Sequence, residues 1–465
     1  MSMQSASKSR QLRFDFIPSH DVVLAPSAGW LTSDAGLLAV RQFDERIGWT
    51  KRFAACIADD RLDAAHSVLS MVRQRVYGII AGYEDCNDHD TLRDDPVFKM
   101  IAGKLPSDDP LASQPTLSRL ENAVPIASLF KLIDLGVEMG VKRVKAKHGG
   151  TLPRRITIDL DPTDDPAHGQ QQLSFFHGFY DQHQHYPMII SEPTTKHIFI
   201  AWLRHGTAGA ALGVEDDVAR IAAAFARADP RTRLHVRGDA GVGKPELYDL
   251  CENGGHTYTF GLSTNPKLKQ WAGPLVRKAE KAFAKTGVKQ RLFAFRSYKA
   301  KTWSRPRTVI AKAECSAEGT NLRFIVTNLP VKDSARAERV YDGYVQRGES
   351  EQRMDELKNG LAAGRLSCHR FAANFLRLLM HTLAFNLLNA LRDHRVVPAE
   401  LRAARPETWR SRIIKVAAVV TQTTRRVVLE LSASWPFWSM LERIGRRALH
   451  APITRAIPLA RAAGP

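Results

Sequence analysis

Cysteine is scarce in this chain. Five residues, Cys56, Cys86, Cys251, Cys315 and Cys368, are spread over 465 positions without a C-x-x-C pair. An odd, scattered set excludes a disulfide framework and a cysteine zinc site. Long apolar runs are also missing. The most apolar stretch, Phe375 to Leu391, is interrupted by Arg377, His381, Asn386 and Asn389, which argues against a spanning helix and predicts an amphipathic helix facing a core. The N-terminal MSMQSASKSRQLRFDF carries positive charge with no apolar segment behind it, so no signal or anchor is expected and the protein is placed in the cytoplasm. Acid is short of base: 67 Lys and Arg face 48 Asp and Glu, a net charge of +19. Such a field draws polyanions over long range, which makes nucleic acid the first partner to expect. Residues 401–465 hold 12 Lys and Arg against 3 Asp and Glu, a segment suited to a nucleic-acid backbone.

At this length one ordinary core is too small, and a principal domain with attached modules is expected. From Leu31 to Val144 apolar residues recur three and four apart, which predicts an all-helical module. Within it, Pro115 of SQPTLSRLEN suits the first turn of a helix, where Thr116, Ser118 and Arg119 would meet phosphates or simply solvate a helix start. After Arg155 the pattern changes. ITIDLDPT, LSFFHGFY and HIFIAWL read as three neighbouring strands, followed by a helix from Gly213 to Ala228, the strand RLHVRGD and a helix from Gly243 to Glu252. Further strand-like runs, TYTFGL, RLFAFRSY, RTVIAKAE and LRFIVTNL, fill Thr257 to Pro330 and are separated by basic loops. Helical pattern resumes from Ala335 to His394.

Three acids stand out. Asp161 and its neighbour Asp159 share one face of their strand, and Asp239 closes RLHVRGD between Gly238 and Gly241. In YDGYVQRGESEQRMDELK, the residues Tyr344, Arg347, Glu351 and Lys358 stand at offsets that keep them within about a 60° arc of an α-helix, at roughly 100° per residue. Converging carboxylates are what two-metal phosphoryl transfer requires, because Mg²⁺ takes hard oxygen ligands. The plainer account is a pair of turn-capping aspartates and an i,i+4 ion pair between Arg347 and Glu351. His177, His183 and His185 lack a suitably spaced fourth zinc ligand, and Glu84, Asp85, Asp88 and Asp90 lack the glycine and terminal glutamate of a calcium loop, so helix capping is expected of the latter. Trp303, set among cations in SYKAKTWSRPR, suits either stacking on an unpaired base or covering a small β core.

Tyr344, Arg347, Glu351 and Lys358 reproduce the Y-x2-R-x3-E-x6-K signature, and with DLDPTDDPAHGQQ, FFHGFYD, RGDAG and RLSCHRFAANFLRLLMHTLAFNLL the chain resembles the DDE-type bacterial insertion-sequence transposases of the insertion sequence thirteen-eighty group. The likeness extends to LTSDAGLL, GYEDCNDHDTLRDDPVF and SQPTLSRLEN. It implies an α/β fold: a ribonuclease-H-like catalytic core with a β-rich insertion domain and a helical N-terminal module. The expected parts are a DNA-binding module in 1–150, the core in 151–262 and 336–398, the insertion domain in 263–335, and a basic region in 399–465. By the same resemblance Asp161 is the first triad acid, with Asp159, Asp164 and Asp165 as competitors, Asp239 the second and Glu351 the third. These three would hold Mg²⁺, or Mn²⁺ in its place. Tyr344, Arg347, Lys358 and Trp303 would bind DNA. The implied partners are double-stranded DNA, at transposon inverted-repeat ends and target, and a second copy of the chain in the synaptic complex. Competing readings are a retired transposase that only binds DNA and a ribonuclease-H-like nuclease that cuts without joining.

Overall fold

The computed structural model describes residues 12–14, 22–25, 29–61, 64–394 and 397–447. Its centre is a mixed sheet of eight strands: β1 (Arg155–Pro162), β2 (Met188–Ser191), β3 (Ile198–Trp202), β4 (Arg233–Gly238), β5 (Thr257–Leu262), β6 (Gln290–Tyr298), β7 (Arg307–Ser316) and β8 (Gly319–Thr327). They lie in the order β6-β7-β8-β5-β4-β1-β2-β3. β1, β4 and β5 are parallel, β1, β2 and β3 form an antiparallel meander, and β8 runs antiparallel to β5. Alternation explains β1: Ile156, Ile158 and Leu160 are buried on one face, leaving Asp159 and Asp161 on the other.

Two expectations about this region are corrected. LSFFHGFY is not the second strand of the meander; that place belongs to Met188–Ser191, whose four residues are all buried. A strand covered on both faces shows no alternation and gives a weaker sequence signal. Phe175–His177 instead joins Gln182–His185 and Asp165–Pro166 in a separate three-stranded sheet. The presumed basic loop after β5 contains a 21-residue helix, Pro266–Thr286. Asn265 caps it by accepting the Leu268 N–H, Pro266 opens it, and Gly287 ends it at φ 66°. Leu268, Ala272 and Ala279 form its buried stripe, so the lysines that resembled a loop are its solvent face. The strands that follow it continue the central sheet through the β5–β8 pairing.

The N-terminal part is helical, from Leu37–Ile47 to Ile126–Lys147. It closes around the helix Phe371–Arg392, in which every residue from Ala373 to Arg392 is buried. This helix was expected to be amphipathic, yet it is covered on all sides. Several of its polar groups are paired inside the fold: Asn386 bonds both the N–H and the carbonyl of Ile198, Arg392 pairs with Glu356, and Arg377 with Glu121. It is the one helix among the described residues long and apolar enough to cross a membrane, and it lies inside the fold. The described part of the basic C-terminal segment is ordered against the start of the chain: Ala418–Gln422 pairs with Val427–Leu431 and Leu31–Thr32. Arg455 and Arg461 of that segment lie outside the described residues.

Candidate active site

β1 and β4 are neighbours in parallel register, with Leu160 opposite Gly238, so the next residues along, Asp161 and Asp239, stand side by side at the strand tips. Strand tips of this kind collect functional groups because the sheet fixes their backbone while the following loops leave the side chains accessible. Asp239 Oδ1 accepts the N–H groups of Gly241 (2.8 Å) and Val242 (3.1 Å), which aims its carboxylate. Burial holds the Asp161 carboxyl above the usual range, against the hydrogen bond from Ser350 and the charge of Arg347; Asp239 and Asp159 push it further up. Crowded carboxylates of this kind favour either a proton or a cation between them.

Asp159 shares a face with Asp161 but not its setting. It is fully buried, and its oxygens accept Arg237 Nε (2.7 Å), Arg237 Nη2 (3.0 Å) and Arg353 Nη2 (2.6 Å). Arg237 continues to the Gly343 carbonyl, and Arg353 to Ser191. One buried carboxylate therefore ties β1, β4 and β2 to the segment carrying the signature residues. Asp164 accepts Lys358 Nζ (3.0 Å) and Gln182 Nε2 (3.1 Å). Asp165 is buried without a hydrogen bond to either oxygen, 3.9 Å from His185 Nδ1, and burial pushes it up to about 7.

The signature segment is not the single straight α-helix that its spacing predicts. The α-helix Ser334–Val345 gives way to a 3₁₀ turn at Gln346–Gly348, an α-helical stretch at Glu349–Asp355 and a π turn at Glu356–Gly360. Each change of winding alters the phase, so offsets counted at 100° per residue no longer fall on one face. Ser350 is the residue that meets Asp161, with its Oγ donating to Oδ2 at 2.9 Å. Glu351, the next residue, is exposed and makes no hydrogen bond or ion pair among the described residues. Arg347 Nη1 stands 3.7 Å from Asp161 Oδ1 and over the ring of Tyr344. Lys358 is held by Asp164 and Thr163. Tyr344 reaches β5 at Gly261, where a Cβ would lie 2.9 Å from the Tyr344 hydroxyl and 2.9 Å from the Ala240 nitrogen, so only glycine fits there.

Asp161, Asp239, Arg347 and Tyr344 are thus brought together, while Glu351 lies alongside with its carboxylate in solvent. Among the described residues no three His, Cys, Asp or Glu side chains already form a metal-binding group. Trp303 is 6 % exposed, edge-on to Tyr248 and Tyr298 with Arg307 over its ring, so it offers no free face to a base. His177 packs on Tyr180 and Tyr186, and His183 on Phe176. Of the acids near residue 85, Asp90 accepts the Gln114 N–H at the start of the helix Gln114–Ala123; Asp88 makes no side-chain cap. Thr116 and Arg119 bond each other on that helix and line a cleft of about 620 Å³ with Arg61 and Arg370. Sequence reasoning missed Ser350, Arg353 and Gly261. Arg353 was open to discovery, since an arginine in a buried stripe needs an acid.

The family model described as "Transposase DDE domain group 1" matches residues 15–451. No curated protein matches the sequence. Since the match spans nearly the whole chain, the protein belongs to the DDE-domain transposases.

Proposed function

We propose that this transposase cuts the DNA at transposon ends and joins it to a target by two-metal phosphoryl transfer, with Asp161, Asp239 and Glu351 as the metal-holding acids. The observation that carries the proposal is the pairing of Asp161 and Asp239 on adjacent parallel strand tips, beneath the segment bearing Glu351. Five strands in the order β3-β2-β1-β4-β5, an antiparallel meander beside two parallel strands, support reading the core as ribonuclease-H-like. Asp159 is engaged by two guanidinium groups, Asp164 by Lys358, and Asp165 is buried, which supports Asp161 as the first acid.

The residues fit Mg²⁺ or Mn²⁺. Asp161 and Asp239 offer hard oxygens side by side at the strand tips, the donor type that these ions take. Glu351 sits between a 3₁₀ and a π turn, where helix phase is already changing, and a π turn in a helix often marks a functional site. Divalent ions there would activate water or a 3′-hydroxyl and stabilise the leaving oxygen. The protein's own part is positional. Arg347 balances Asp161 and faces the same space, so its guanidinium is placed to take a phosphate in a bidentate manner. Lys358 steadies the loop after β1 through Asp164. Two copies of the chain would hold two ends together for joining.

Asp239→Asn tests the assignment. Binding of a duplex carrying the terminal inverted repeat should persist while Mg²⁺-dependent cleavage is abolished; cleavage that survives removes Asp239 from the triad. A labelled-end strand-transfer assay on the wild type separates joining from cutting alone.

A further inference from the structure

The segment between β1 and β2 forms a hairpin, Phe175–His177 with Gln182–His185, whose surface is unlike the rest of this basic protein. Residues 171–186 contain Phe175, Phe176, Phe179, Tyr180 and Tyr186 and no lysine or arginine. Phe179 at the tip is 85 % exposed, and Leu173, Phe175 and Phe176 are exposed beside it. Leaving that much apolar surface in water is unfavourable, and so many exposed apolar side chains on one hairpin suit a binding surface. The hairpin is anchored at the catalytic strand tip: His185 pairs with Asp165, four residues beyond Asp161, and Gln182 donates to Asp164. Phe179 rests edge-on against Tyr180 (5.0 Å between centroids), Tyr180 against His177 (5.2 Å), and His177 against Tyr186 (5.3 Å), with Arg204 over the Tyr186 ring. Burial raises the Tyr180 hydroxyl, a bond with Tyr186 opposes this, and the charges of Asp164, Asp239 and Asp161 raise it further, so the residue next to Phe179 senses the acids.

We propose that Phe179, at the tip of this aromatic row, stacks on a base left unpaired next to the cut, holding the strand open beside Asp161 and Asp239. The proposal rests on the phosphoryl-transfer reading for its substrate. A hairpin without cations has nothing to hold a phosphate, whereas an exposed ring face suits the π-face of any base. The phosphates of the same strand fall to Arg347, which faces Asp161. Trp303, buried under Arg307, leaves that task free.

The test uses the full-length chain and an end duplex with 2-aminopurine beside the cleavage position. Without metal, the wild type should change the probe's fluorescence and Phe179→Ala should not, while overall affinity stays within about threefold. In Mg²⁺, Phe179→Ala should cut the fully paired end about 5- to 150-fold more slowly. Phe179→Trp should retain the rate, and an end with mismatched bases beside the cut should restore Phe179→Ala. Identical probe signals in wild type and Phe179→Ala overturn the proposal, as does a defect that mismatches do not relieve. A change confined to sedimentation, with the probe signal unaltered, overturns it in favour of a contact between two copies. If the probe signal responds as expected but the wild type cuts no DNA, stacking stands and the phosphoryl-transfer reading fails.

Discussion

Asp159 and Asp161 are two residues apart on one face of one strand, and their environments predict opposite responses to the same substitution. Asp159→Asn preserves volume but removes the charge that compensates two guanidinium groups, Arg237 and Arg353, each only 4 % exposed. Both keep one other bond, to the Gly343 carbonyl and to Ser191, so neither is left wholly unsatisfied. Breaking a buried ion pair from one side typically costs about 3–5 kcal/mol. At about 2–4 °C per kcal/mol for a unit of 150–250 residues, the transition that melts the sheet should fall by roughly 6–20 °C. Asp161→Asn still accepts from Ser350, relieves the crowding with Asp239, and loses only a 3.7 Å contact with Arg347. Its stability should stay within about 1 kcal/mol of wild type. Thermal unfolding followed by circular dichroism, together with cleavage of an end duplex well below the melting range, gives both readouts. The expected pattern is a fragile Asp159 variant that retains cutting at low temperature and a robust Asp161 variant that has lost it. An Asp159→Asn protein that melts like wild type yet cannot cut would refute the reasoning and make Asp159 the metal-holding acid.

Asp165 sets a pH dependence. With its folded pKa raised to about 7, the neutral carboxyl contributes stability that is fully present below the unfolded value near 4 and is lost as pH rises to about 7. Its neighbours are His185, Lys358 and Asp164, and His185 is itself held below its usual range by burial. Denaturant midpoints of wild type and Asp165→Asn should therefore diverge between about pH 4 and 7, with the variant the more stable by at most about 4 kcal/mol, and run parallel above; parallel profiles throughout would contradict the assignment. Trp303→Ala should cost about 3–5 kcal/mol by opening a void against Tyr248 and Tyr298. End cleavage per folded molecule should be unchanged, and a selective loss of cutting without destabilisation would return Trp303 to the DNA-binding set.

The strands that carry Asp161 and Asp239 were legible because β1 and β4 alternate in sequence, and Asp239 follows its strand where the glycines on either side permit a tight turn. The choice between Asp159 and Asp161 was not legible, since a period of two assigns both to one face and says nothing of which meets a guanidinium. The spacing of Glu351 with Arg347 and Lys358 was readable in the sequence, but the exposed orientation of Glu351 was not. The 3₁₀ and π turns break the uniform winding assumed for an isolated helix, and the π turn packs against the helices Phe371–Arg392 and Pro406–Trp409. The helix Pro266–Thr286 was hidden because Pro266 and Pro274 resemble breakers, although one occupies the permitted first turn.

The burial of Phe371–Arg392 bears on how the protein is made. The helices that precede the central sheet leave the ribosome long before the segment that fills the space among them. Until that segment arrives their apolar stripes lack one of their main counterparts, so the early part of the chain has no complete interior of its own. A truncated product lacking the late helix would leave those apolar stripes in water.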